Sequence, residues 1–157
     1  MTLRSAPIVT SQMLIRRPAA EVFEAFVDPA VTTRFWFTKS SGVLRPGEQV
    51  RWEWEMYGAS TLVTVKAVEP NSRILIEWDD PPCPVEWRFE PREGDTTLVS
   101  ISNWGFHGGE DEVVAQAIDS MGGFSLVLAG LKALLEHGIE LNLVADRHPD
   151  AHVRSAS

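Results

Sequence analysis

Two stretches of the chain alternate so regularly that they leave little choice of fold. Over residues 50–57, Val50, Trp52, Trp54 and Met56 share one parity, and Arg51, Glu53, Glu55 and Tyr57 share the other. Over residues 85–90, Val85, Trp87 and Phe89 alternate with Glu86, Arg88 and Glu90. A period of two, apolar on one side and charged on the other, marks an antiparallel strand with one face in water. Three more segments read the same way. Residues 61–69 place Val63, Val65 and Ala67 opposite Thr64 and Lys66; residues 74–78 place Ile74, Ile76 and Trp78 together; residues 96–104 place Val99, Ile101 and Asn103 opposite Ser100 and Ser102. Pro70-Asn71-Ser72 and Glu93-Gly94-Asp95 supply turn chemistry between them. Shorter strands are predicted over residues 8–15 and 41–44.

Helices bracket this meander. Pro18 suits a first helical turn, and Val22, Phe23, Phe26 and Val27 form one apolar face that ends at Asp28-Pro29. Residues 30–37 are predicted as a second short helix, closing on Phe35, Trp36 and Phe37. After residue 105 the acids Glu110, Asp111 and Glu112 open a long helix that runs to about His137, with Gly138 as its C-terminal cap. Met121, Phe124, Leu128, Leu131 and Leu135 recur at three and four, one continuous stripe. Gly122, Gly123 and Gly130 interrupt it, each at about 1 kcal/mol relative to alanine. They mark either a bend or a surface that another element approaches closely.

A run of strands separated from helices predicts an α+β domain. The economical solution is a curled antiparallel sheet of about seven strands wrapped around the long helix, with Phe124, Leu128 and Leu131 against the sheet. Residues 1–144 read as a single domain. Residues 145–157 lose all periodicity and read as a tail without fixed structure.

Composition bounds the function. The 157 residues carry 14 Lys plus Arg against 22 Asp plus Glu, a net charge of −8. That balance argues against nucleic acid and against anionic membrane surfaces, which need a basic footprint. Cys83 is the one cysteine, so no internal disulfide and no multi-cysteine zinc site is expected. The N-terminal dozen residues lack an apolar signal core, and no stretch reaches 18 uninterrupted apolar residues. A cytoplasmic protein is the expectation.

The residues also resemble a known family. The run from Arg17 to Pro29 (RPAAEVFEAFVDP), the Phe35-Trp36 that follows, Ile74-Leu75-Ile76-Glu77-Trp78, and Thr97 to Asn103 before Gly105-Phe106 are similar, in that order, to the activator-of-heat-shock-protein-90-ATPase homologues. These belong to the SRPBCC (START-like, helix-grip) superfamily. The resemblance covers roughly residues 8–143, with one departure: Gly122-Gly123-Phe124 stands where the family often has Gly-Trp. It implies a sheet gripping the C-terminal helix, with a cavity between them that superfamily members use for apolar molecules and sometimes for catalysis. The family name implies a stress-response setting and a chaperone partner. The eukaryotic activator contacts the chaperone through a separate N-terminal domain, for which this chain leaves no room, so support for that partner is weak.

The candidate site follows from parity. Six tryptophans stand against one tyrosine. Trp52, Trp54, Trp78 and Trp87 fall on the inward side, where they either line an aromatic pocket or fill the core. Trp36 is either a gate at the cavity mouth or a plug. Phe124 and Leu128 present the helix stripe to the same space. Asn103 is polar on an inward parity, so it is a ligand hook or a satisfied core amide.

No nucleophile–base pair, ligand-spaced metal cluster or phosphate loop is visible, so no catalytic residue, metal or cofactor is expected. His107 is the only titratable residue that the loop order places near the cavity end, and it would carry any turnover. Cys83 reads as a loop thiol, and the pairs Asp79-Asp80 and Glu53/Glu55 as solvated. The function expected is binding of a compact apolar or aromatic small molecule. The alternatives are an enzyme of the cyclase or hydrolase kind and a chaperone-interacting or regulatory module.

Overall fold

The computed structural model describes residues 6–79 and 81–153. Seven strands form one antiparallel sheet: β1 (Val9–Ile15), β2 (Lys39–Ser40), β3 (Gln49–Trp54), β4 (Ala59–Glu69), β5 (Arg73–Trp78), β6 (Cys83–Arg92) and β7 (Thr96–Asn103). Their order across the sheet is β1-β7-β6-β5-β4-β3-β2. All connections except two are hairpins between sheet neighbours. The exceptions are the crossing from β1 to β2 through α1 (Ala19–Val27) and α2 (Pro29–Thr32), and the exit from β7 into the long helix α3 (Glu110–His137).

The inward parity holds along β6 and β7, where Val85, Trp87, Phe89, Val99, Ile101 and Asn103 are buried. It breaks once. A bulge between Val65 and Ala67 in β4 makes Lys66 an extra residue opposite β5. Beyond it Val68, paired with Ile74, packs on the core in place of the expected Ala67.

Helix α1 forms because Val22, Phe23, Ala25, Phe26 and Val27 bury one face. Asp28 then ends α1 and caps α2, its Oδ1 accepting from the Ala30 N–H at 2.9 Å. Thr32 Oγ1 donates back to Ala25 O at 2.6 Å and ties the two helices together. The second helix is shorter than expected. Three consecutive buried aromatics cannot share one helical face, so the chain leaves the helix before them. Phe35 meets Phe26 with ring centroids 5.4 Å apart, Trp36 meets Trp52 at 4.9 Å, and Phe37 stacks on Trp52 at 4.6 Å.

The concave face of the sheet grips α3. Phe124, Val127, Leu128, Leu131 and Leu134 are its buried side chains. Met121 is 46% exposed, and the buried stripe begins only at Phe124. By length and composition α3 is apolar enough to cross a membrane, yet it is the helix that the sheet wraps.

Other boundaries move as well: the strand expected over residues 41–44 lies at Lys39–Ser40 instead. The strand expected over residues 50–57 stops at Trp54, and Glu55–Tyr57 forms a 3₁₀ turn closed by Gly58 at φ +61°. That turn takes Tyr57 off the solvated parity. The tail expected to lack structure instead forms α4 (Leu143–Arg147) and a 3₁₀ turn, Pro149–Ala151. The reason lies in its contacts. The Val153 N–H donates to Met56 O at 2.9 Å, and Arg147 reaches Asp119. Residues 154–157 of that tail lie outside the described residues.

Candidate functional site

A cavity of about 420 Å³ lies between the β3–β6 side of the sheet, the first half of α3 and the C-terminal segment. That volume falls in the range of small-molecule sites. Its aromatic wall is Trp36, Trp54, Trp78 and Phe124. Trp36 is the hub: its ring centroid lies 5.8–6.3 Å from those of Phe124, Trp54 and Trp78. Trp78 stacks on Phe124 at 5.9 Å with 14° between planes. Edge-to-face and offset packing of this kind fixes the rings without filling the space in front of them.

The expected site residues therefore split in two. Trp36, Trp54, Trp78, Asn103 and Phe124 line the cavity. Trp52, Trp87 and Leu128 stand behind them, each at most 1% exposed, and fill the core. Trp87 Nε1 has no hydrogen-bond partner among the described residues. Its neighbours are the rings of Phe26, Trp36 and Phe124.

Asn103 closes the polar end. It is 2% exposed, and its Nδ2 donates to Pro84 O at 2.8 Å and to Cys83 Sγ at 3.3 Å. Its Oδ1 accepts from Ser120 Oγ at 2.8 Å. The amide is thus consumed in joining β6, β7 and α3. Cys83 is not a loop thiol. It opens β6, is buried, and donates to Trp104 O at 2.9 Å. Burial pushes its thiol up, with the Asn103 amide offsetting part of that, so it stays protonated.

Asp79 is exposed in its turn, in keeping with its reading as a solvated loop residue, and it also borders the cavity. It sits at φ +68° in the turn after β5. Partial burial pushes its carboxyl up, tempered by the charge of His107. Asp80, its expected partner, lies outside the described residues. His107 itself is exposed, with Nε2 at 3.4 Å from Pro82 O, and Phe106 is the loop residue that lines the cavity.

The C-terminal segment forms the remaining wall through Val144, Arg147 and His148. Tyr57 holds it. Its hydroxyl donates to Val144 O and to Ala145 O, and accepts from the His148 N–H at 3.3 Å. The Arg147 guanidinium lies over Gly122-Gly123, where an added Cβ would come within 2.7 Å of Nη2 and 3.1 Å of Nη1. The two glycines are a close-approach surface, one of the two readings that the sequence left open. Arg147 Nη2 also meets Asp119 Oδ1 at 3.3 Å. Sequence reasoning missed this segment because none of its contacts follows a period. The diglycine was the only signal of it.

No cluster of three or more His, Cys, Asp or Glu able to hold a metal occurs among the described residues.

Comparison with known proteins agrees with this architecture. A profile of the family "Activator of Hsp90 ATPase homolog 1-like protein" matches residues 16–136. No curated protein matches. Among solved structures, protein SSP2350 from Staphylococcus saprophyticus is 30% identical, with a TM-score of 0.75 over 86% of this chain and 96% of that one. The Aha1 dimer from Colwellia psychrerythraea is 16% identical, with a TM-score of 0.73 over 84% of this chain and 98% of that one. DynU16, from the dynemicin biosynthetic locus, is 22% identical, with a TM-score of 0.71 over 85% of this chain and 48% of that one. The profile match and the gripped helix together make the chain a member of the Activator of Hsp90 ATPase homolog 1-like family, on the START-like helix-grip fold.

Proposed function

We propose that this protein binds a compact apolar or aromatic small molecule in the cavity between its sheet and α3. One observation carries the reading: an aromatic wall of Trp36, Trp54, Trp78 and Phe124 faces about 420 Å³ of unfilled space. A core would have closed that space, since interiors pack to crystal-like density. The second layer, Trp52 and Trp87, does pack that way. A long-chain lipid fits poorly, because the tryptophans take up the depth such a chain would need. Binding rather than turnover is the reading, since the Cys83 thiol is held protonated and the Asn103 amide is fully bonded.

The cytoplasm is the proposed setting, in keeping with a lone free thiol. A net charge of −8 disfavours nucleic acid and anionic membranes as partners. A chaperone partner rests on the family name alone.

Intrinsic fluorescence tests the binding reading. Titration with 1-naphthol or 2-phenylethanol should change the tryptophan emission saturably, and ATP should leave it flat. Emission that stays flat across a panel of compact apolar probes would return the aromatic wall to the role of packed core.

A further inference from the structure

The charge of the cavity wall narrows the ligand class, given the reading that the cavity is a binding site. Most polar groups around it are already engaged. Asn103 and Ser120 bond to each other, Cys83 donates to Trp104 O, and Gln116 Nε2 donates to the carbonyls of His107 and Glu112. The Tyr57 hydroxyl is held by the C-terminal segment. Asp119 and Arg147 face each other at 3.3 Å and offset each other's charge. Asp79 is left over. Among the described residues no hydrogen bond or ion pair holds its carboxylate, and the one charged group acting on it is His107.

We infer that the cavity takes a compact aromatic molecule carrying a protonated amine, with its ring among Trp36, Trp54, Trp78 and Phe124 and its ammonium at Asp79. Three further observations favour this class. Indole faces attract cations, Trp most strongly of the aromatic side chains. The net charge of −8 draws cations toward the molecule. The left-handed turn at Asp79 does not itself require a carboxylate, because glycine or asparagine adopts φ +68° at least as readily. Arg147 is the competing argument, since a guanidinium on the wall suits a carboxylate. It is, however, seated over Gly122-Gly123 and paired with Asp119, so a carboxylate ligand would have to displace an existing partner.

The test is a matched set of probes: phenethylamine, 2-phenylethanol and 3-phenylpropionate, titrated calorimetrically into the full-length protein and into Asp79→Asn. Asparagine keeps the turn and removes only the charge. Phenethylamine should bind the natural protein about tenfold more tightly than the alcohol, the size of one charge contact at a partly exposed wall plus a cation–π contribution. The carboxylate should bind most weakly. In Asp79→Asn the preference for the amine should vanish while the affinity for the alcohol is unchanged. Equal affinity for amine and alcohol, a preference for the carboxylate, or an amine preference that survives the substitution would each overturn the inference and leave the cavity reading standing. If none of the three binds, the cavity reading falls and this inference with it.

Discussion

Asn103 shows how much one side chain can hide. Its inward parity was legible, because β7 alternates without a break. That its amide is spent on Pro84, Cys83 and Ser120 was not, since those partners come from another strand and from α3. Cys83 follows the same pattern: prolines on either side suggest a loop, but the strand begins at the cysteine itself. Its buried, protonated thiol should resist a disulfide reagent at pH 8 until the protein unfolds, and rapid labelling of the folded protein would contradict its placement. Leu131 is fully buried on the gripped face of α3. Leu131→Ala should cost about 2–5 kcal/mol by denaturant unfolding, and a loss below about 1 kcal/mol would mean that the helix presents another face. Glu136 reports on pH. Burial alone would raise its carboxyl, but the Lys132 ammonium at 2.7 Å and the Arg16 N–H at 2.9 Å outweigh that and hold it below the ordinary value of 4.5. A depressed carboxyl contributes stability above the unfolded value, and that contribution is lost as pH falls through the folded value. Glu136→Gln should therefore destabilise the protein at pH 7, with the difference from the natural protein closing as the pH drops below about 4.5. A gap that persists at low pH would show that charge is not its source.

At the scale of elements, the sheet and α3 were legible because each carries a period. The features that break a period were not. The bulge at Lys66 resets the inward parity of β4, and the 3₁₀ turn Glu55–Tyr57 brings Tyr57 round to the cavity. Neither leaves a trace in hydropathy; only Gly58, left-handed at φ +61°, hints at the second. The C-terminal segment is the largest such case. It is short and polar, and it is held by side-chain-to-backbone bonds rather than by an apolar stripe. Releasing it should open the cavity without unfolding the domain, since the segment adds only the partly buried Val144 to the edge of the core and none of the cluster's buried residues. A double variant, Tyr57→Phe with Arg147→Ala, should keep its circular dichroism but raise acrylamide quenching of the tryptophan emission. Unchanged quenching would mean that the segment does not limit access to Trp36, Trp54 and Trp78.

For the whole molecule, the aromatic residues form two layers with different physical roles. Trp52 and Trp87 sit in the rear layer, each 1% exposed; Trp36, Trp54 and Trp78 sit in the front layer and line the cavity. Parity alone cannot separate the layers. Every inward tryptophan looks alike in sequence, and only the curl of the sheet around α3 decides which of them reaches the cavity. The indole N–H signals of the six tryptophans make the division measurable. In a ¹H–¹⁵N titration with 2-phenylethanol, the resonances of Trp36, Trp54 and Trp78 should shift saturably while those of Trp52 and Trp87 stay in place. Shifts confined to Trp52 and Trp87, or no shift at any indole, would contradict an open, ligand-accepting cavity.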